Sequence, residues 1–125
     1  MRTVKFEYVW LDGYETKNLR SKVKVMKWIH REDIKVENLP IWNFDGSSTK
    51  QAPGSSSECI LQPVRVYPWS LDHYIVLCEV QSVDGSDHES NSRAQLRKLA
   101  KTANEQEFWW GFEQEYFVTK NRIPL

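Results

Sequence analysis

From Val4 to Leu11 the chain sets Phe6, Tyr8 and Trp10 on one side and Lys5 and Glu7 on the other. Successive residues of a strand point to opposite faces, so this run is a β-strand with one aromatic face. An aromatic face must be covered, which commits the chain to a sheet packed on a core. Leu19 to Met26 alternates similarly, Ser21, Val23 and Val25 against Arg20, Lys22 and Lys24, the pattern of a half-buried partner strand. Asp12-Gly13 signals the turn between them, with a connection longer than two residues, and the pair reads as a β-hairpin.

A mixed segment runs on to Pro40, followed by a short apolar piece, Ile41-Trp42-Asn43-Phe44. Asp45 to Glu58 is a loop by composition, rich in Ser and carrying Gly46, Pro53 and Gly54; long loops inside compact domains tend to be functional or mobile. Cys59 to Tyr67 and Tyr74 to Val80 are two further strands. The second is a near-continuous apolar run and therefore central, and Pro63 marks an edge or a bulge in the first. After the turn Val83-Asp84-Gly85-Ser86, Ser90 or Asn91 caps a helix from Ser92 to Ala103, with Ala94, Leu96, Leu99, Ala100 and Ala103 available for its buried face. Phe108 to Val118 returns to strand character. The order is that of an α+β domain, a mixed sheet packed by one helix.

The length, 125 residues, suits one domain or one domain and the opening of another. With 40% apolar residues, 13% aromatic and a formal net charge of zero, the chain is not intrinsically disordered. The interspersed charges also argue against a general nucleic-acid binder or an anionic-membrane binder, which need an excess of Lys and Arg. The two cysteines, Cys59 and Cys78, lie in apolar runs without a C-x-x-C spacing. They read as reduced, buried thiols of a cytosolic protein, with a disulfide between neighbouring strands the alternative. No apolar leader core follows Met1 and no stretch approaches a membrane-spanning length, so a soluble, cytoplasmic protein is expected.

Two runs carry chemistry. In Trp42-Asn43-Phe44-Asp45-Gly46-Ser47-Ser48-Thr49, an Asp leads into a Gly and three hydroxyls. Local pattern is satisfied equally by an ordinary Asp-initiated turn and by a functional loop. In Gly111-Phe112-Glu113-Gln114-Glu115-Tyr116, two carboxylates stand one residue apart in a strand-forming run. On a strand they would share a face, and like charges that close call for a cation or a shared proton. Oxygen ligands of this kind suit magnesium or manganese; the competing reading is two solvated Glu on an exposed strand face.

With these runs in view, the chain resembles the N-terminal part of glutamine synthetase, of the eukaryotic-type class that also occurs in bacteria. The matching segments are Phe6-Glu7-Tyr8-Val9-Trp10-Leu11-Asp12-Gly13, Leu19-Arg20-Ser21-Lys22, Leu39 to Gln51, Val76-Leu77-Cys78-Glu79-Val80 and Gly111 to Tyr116. They occur in family order and cover essentially the whole chain. The resemblance implies a β-grasp domain over residues 1–104 and the start of the catalytic domain over 105–125, to which the strand from Phe108 to Val118 would belong. It also implies the family reaction, in which ATP phosphorylates the side-chain carboxylate of glutamate and ammonia displaces the phosphate. By position, Glu113 matches a ligand of the metal nearer the nucleotide phosphates and Glu115 a ligand of the second metal. Asp45 matches the aspartate that binds ammonium and promotes loss of its proton, Ser48 a neighbouring residue of that loop, and Trp109 a position against the nucleotide. The family's Asp-bearing loop completes a neighbouring subunit's site, which implies a homo-oligomer.

The family's remaining metal ligands, its glutamate-binding arginines and most of its ATP site have no counterparts before Leu125. His30, His73 and His88 match none of them and read as solvated surface residues. The expectation is therefore a catalytic-domain partner for activity, no glutamine formation by this stretch alone, and manganese binding weaker than about millimolar from an incomplete ligand set. The unpaired terminal strand is expected to drive association or poor solubility. Two other readings stand beside this one. One is a stand-alone β-grasp module docking on full-length synthetase oligomers; the other is a binding domain with relic motifs and a face formed by Trp42, Trp109 and Trp110.

Overall fold

Strands β1 (Arg2–Leu11) and β2 (Leu19–Trp28) pair antiparallel without a break in the computed structural model, which describes residues 1–103 and 106–125. The expected boundary between residues 104 and 105 lies outside the described residues. Strand β3 (Trp42–Asp45) pairs with β4 (Glu58–Ser70), which in turn pairs with β5 (His73–Gln81). The sheet order is β2-β1-β5-β4-β3, with β1 and β5 parallel and the other neighbours antiparallel. Together with one helix this is an α+β, β-grasp-like fold, as expected. The apolar run of β5 sits at the centre, and a register shift between Pro63 and Arg65 puts a bulge at the proline, which cannot donate to the ladder.

Val4, Phe6, Tyr8 and Trp10 face one side of the sheet and are buried with Val76, Cys78, Val80, Cys59, Leu61 and Phe44. The segment between β2 and β3 closes over them with Leu39, and the Tyr8 hydroxyl donates to the Pro40 carbonyl at 2.7 Å. Burial pushes the Tyr8 phenol far above its usual range. Both cysteines are buried and free, and burial pushes the Cys78 thiol up to about 12.

On β2 the buried side is the cationic one. Arg20, Lys22 and Lys24 share the core side with Trp10, Tyr8 and Phe6, their register partners, while Val23 and Val25 point outward and are exposed. The cause lies at the turn. Asp12 is fully buried and accepts from the Asn18 and Tyr14 amides, the Asn18 side chain and Arg20 Nε. Satisfying that carboxylate fixes the register, and a one-residue slip would turn Arg20 away from it. The lysine stems then cover apolar surface, and Lys22 Nζ and Lys24 Nζ stand 3.8 and 4.5 Å from the Trp42 ring centroid. Trp42 thus lies under two ammonium groups and against Tyr8 rather than on an exposed aromatic face.

Helix α1 spans Ser92–Ala103, as expected. Asn91 is its cap: its Oδ1 accepts from the Ala94 amide at 3.1 Å, and its side-chain amide donates to the Val80 carbonyl at 2.9 Å. Of the expected apolar face only Ala94 is buried, and Leu96 and Leu99 stay exposed. Charge anchors the helix to the sheet instead. The buried Glu79 of β5 accepts from Arg93 at 2.6 Å and from Arg97 through both oxygens at 3.0–3.2 Å.

The expected strand from Phe108 to Val118 is not formed. Residues 108–118 are irregular and exposed, and only Thr119–Lys120 (β6) and Ile123–Pro124 (β7) pair, around Asn121 and Arg122, which both have positive φ. Aromatic and β-branched residues favour strands by packing on neighbouring strands, and among the described residues this segment has none beside it. Among the described residues, no helix is long and apolar enough to cross a membrane.

Candidate functional site

Asp45 ends β3 and caps a 3-10 turn, Gly46–Thr49. Its Oδ1 accepts from the Ser47 amide at 2.9 Å and the Ser47 hydroxyl at 2.6 Å. These bonds hold the Asp45 carboxyl below the usual carboxylate range, so it stays ionised while exposed. The Ser48 hydroxyl donates back to the Asp45 carbonyl at 3.4 Å. Gly46 is required by close approach, because a Cβ there would stand 2.7 Å from Cys59 Sγ. The turn closes on itself through the Gln51 and Ala52 amides, both donating to the Gly46 carbonyl, with Lys50 in the left-handed region between.

Asp45 and Ser48 line a common cleft of about 280 Å³ with Trp10, Arg20, Ser21, Phe44 and Thr49. Its floor is aromatic, Trp10 against Phe44 at 4.6 Å between ring centroids. Its rim carries one cation, Arg20, and one anion, Asp45. Such a rim can hold a small charged group against an ionised carboxylate and a hydroxyl.

The other candidates lie apart from this cleft. Trp109 is 98% exposed, and Glu113 and Glu115 are exposed in the irregular segment. Neither Glu side chain makes a hydrogen bond or ion pair among the described residues. The two carboxylates have the oxygen chemistry of a magnesium or manganese site, but the described residues hold no group of three or more His, Cys, Asp or Glu that would close around an ion. They do not fit the metal by themselves, and the strand that would have aligned them is not formed.

Sequence reasoning passed over four residues around the Asp45 loop. Arg20 was legible only as part of a charged strand face and Asp12 only as a turn residue, yet the buried Asp12 carboxylate pairs with the partly exposed Arg20 at 3.1 Å beside the cleft. Burial pushes the Asp12 carboxyl up, but hydrogen bonds from Asn18, Tyr14 and Arg20 outweigh it and bring it down to about 2. Gln51 and His88 connect the loop to the turn before α1. The available signal was the even spacing Trp10–Asp12, which points Asp12 inward with the core. His88 is not a solvated surface residue: its Nε2 lies 2.6 Å from the Gln51 carbonyl, and it is half-buried. His73 likewise is half-buried, 3.1 Å from Glu7, whereas His30 is exposed.

No protein-family model matches the sequence. Curated relatives match it along nearly its full length. The glutamine synthetase of Bradyrhizobium diazoefficiens is 45% identical over 129 residues, covering 100% of this chain and 35% of the relative. The glutamine synthetase of Streptomyces viridochromogenes is 46% identical over 127 residues, 98% of this chain and 36% of the relative. That of Saccharomyces cerevisiae is 43% identical over 113 residues, 88% of this chain and 29% of the relative. In sequence the chain is similar to these glutamine synthetases along most or all of its own length, and it spans about a third of the length of the relatives it matches.

Proposed function

We propose that this chain is the N-terminal β-grasp portion, residues 1–104, and the opening of the catalytic domain, residues 105–125, of a cytoplasmic glutamine synthetase. The observation that carries the reading is the Asp45 turn. A run that lies within the stretch similar to the relatives folds into a hydrogen-bonded loop that presents an ionised carboxylate and a hydroxyl at one cleft. An ionised carboxylate suits ammonium, which must be bound as a cation and then lose a proton before it attacks an acyl phosphate. In this reading Asp45 holds ammonium and accepts its proton, and Ser48 fixes the loop beside it. The loop serves a neighbouring subunit, so the working unit is a homo-oligomer acting on glutamate, ammonia and ATP.

Glu113 and Glu115 each offer one oxygen ligand to magnesium or manganese, whose role in phosphoryl transfer is to neutralise charge developing on the transferred group. Trp109 offers an aromatic face to the nucleotide. These three act only with the ligands of the remaining two-thirds of the enzyme, and tight metal or ATP binding to this stretch alone is not expected.

The test supplies the missing part in trans. The chain is mixed with the Bradyrhizobium diazoefficiens relative lacking its matching third, and glutamine formation from glutamate, ammonium and ATP is measured. Activity is expected in the mixture and in neither component alone, and Asp45→Asn should lower it by about 10²-fold or more. Undiminished activity with Asp45→Asn would remove its assigned role. A bound but inactive mixture would overturn the reading as a whole.

A further inference from the structure

Gln51 is buried, and its hydrogen bonds form a closed circuit. Its side-chain amide donates to the Leu11 carbonyl at 3.1 Å and to Ser90 Oγ at 2.8 Å. Ser90 Oγ lies 2.9 Å from His88 Nδ1, and the Ser90 amide donates to the same nitrogen at 3.1 Å. An amide N–H can only donate, so Nδ1 is an acceptor and the neutral ring carries its proton on Nε2. That proton points to the Gln51 carbonyl at 2.6 Å, which completes the circuit. The direction of every bond follows: Gln51 to Ser90, Ser90 to His88, and His88 back to Gln51.

The circuit joins three segments distant in sequence: the end of β1 at Leu11, the Asp45 loop at Gln51, and the turn before α1. The last is itself fixed, because the His88 amide donates to the Val80 carbonyl at 3.2 Å. Gln51 in turn holds the Asp45 loop at its base, its amide donating to the Gly46 carbonyl at 2.8 Å. Gly46 follows Asp45 directly. The path from His88 to Asp45 thus runs through two hydrogen bonds and one peptide unit.

We infer that His88, through Gln51 and with Ser90, is a positioning residue for the Asp45 loop. It touches no substrate; it sets where the Asp45 carboxylate and the Ser48 hydroxyl stand. This inference rests on the proposed role of Asp45 only in its consequence for ammonium, and its geometry is independent of that role.

The experiment has two arms. In the first, the chain is studied by NMR. The His88 ring should show the nitrogen shifts of the neutral Nε2–H tautomer. In His88→Ala, amide exchange at Gly46, Gln51 and Gly13, whose amide donates to the Thr49 carbonyl, should quicken by about tenfold. The amides of Tyr8 and Val76 in the core should be unchanged, which guards against a merely misfolded variant. Ser90→Ala, the milder lesion, should give a smaller increase at the same amides. His88→Gln, which restores a donor toward the Gln51 carbonyl, should recover part of the protection. Equal quickening throughout, or none at the loop, would overturn the positioning role. In the second arm, the reconstituted mixture should show a raised KM for ammonium in His88→Ala with a smaller change in kcat. A loosened loop with an unmoved ammonium KM would leave the circuit standing and remove the ammonium assignment of Asp45.

Discussion

Asp45 and the Glu113/Glu115 pair are both carboxylates set among aromatic residues, and the fold treats them differently. Asp45 caps its own turn, the turn closes on Gly46, and Gln51 ties it to the end of β1 and to the turn before α1. Glu113 and Glu115 lie on a segment flanked by Trp109, Trp110 and Phe117, all exposed, with no strand beside it among the described residues. A carboxylate is pre-organised by the bonds its backbone makes, and local sequence cannot supply those bonds when the pairing partner is missing. One acidic group is therefore held in a defined place by residues 1–103. The other has the chemistry of a ligand without the shell that would orient it.

The largest effect that separates the two regions is packing. Phe6 is fully buried against Trp28 and Tyr74, at 5.2 and 5.8 Å between ring centroids. Phe6→Ala should cost about 3–5 kcal/mol in urea unfolding. Phe112, 93% exposed, should tolerate Ala within about 0.5 kcal/mol. A comparable cost at Phe112 would mean that the terminal segment packs on something, and would erase the contrast.

A smaller effect comes from Asp12, the buried acid of the ordered region. Its carboxyl in the folded chain titrates at about 2, below the ordinary value of 3.8. The unfolded chain therefore takes up the proton first as pH falls. The stabilisation is complete above about pH 4 and is lost as the pH drops toward 2. Asp12→Asn should lower the urea midpoint at pH 6, and the gap to the native chain should narrow at pH 2.5. A gap independent of pH would show that the charge of Asp12 contributes nothing.

Strand identity was legible wherever alternation or a long apolar run marked the chain, as in β1 and the central β5, and helix-start chemistry narrowed the cap to Ser90 or Asn91. Two features were not. The helix looked apolar through Leu96 and Leu99, but Glu79, a buried acid on another element, decides how it docks. The aromatic run from Phe108 to Val118 has strand composition, and composition does not provide a neighbouring strand. At the site, Asp45 and Ser48 stood out because a turn motif is local. Gln51, Ser90 and His88 did not, because their circuit joins residues 37 and 39 positions apart.

The finest test concerns β2, where alternation marks two faces and leaves open which of them is buried. Lys22 donates to the Asn43 carbonyl at 2.8 Å and covers Trp42, and burial followed by the neighbouring Lys24 charge lowers the pKa of its ammonium. Val25 stands on the outer face, 60% exposed. If the register is set by Asp12 and Arg20, Lys22→Ala should cost about 0.5–1 kcal/mol, the scale of an exposed cation–π contact. Val25→Thr, which keeps the β-branch, should then change stability by less than about 0.5 kcal/mol. The reverse ranking would place the valines inside. Arg20 would then turn away from Asp12, and the turn that seats the β1 end of the Asp45 cleft would have to be rebuilt.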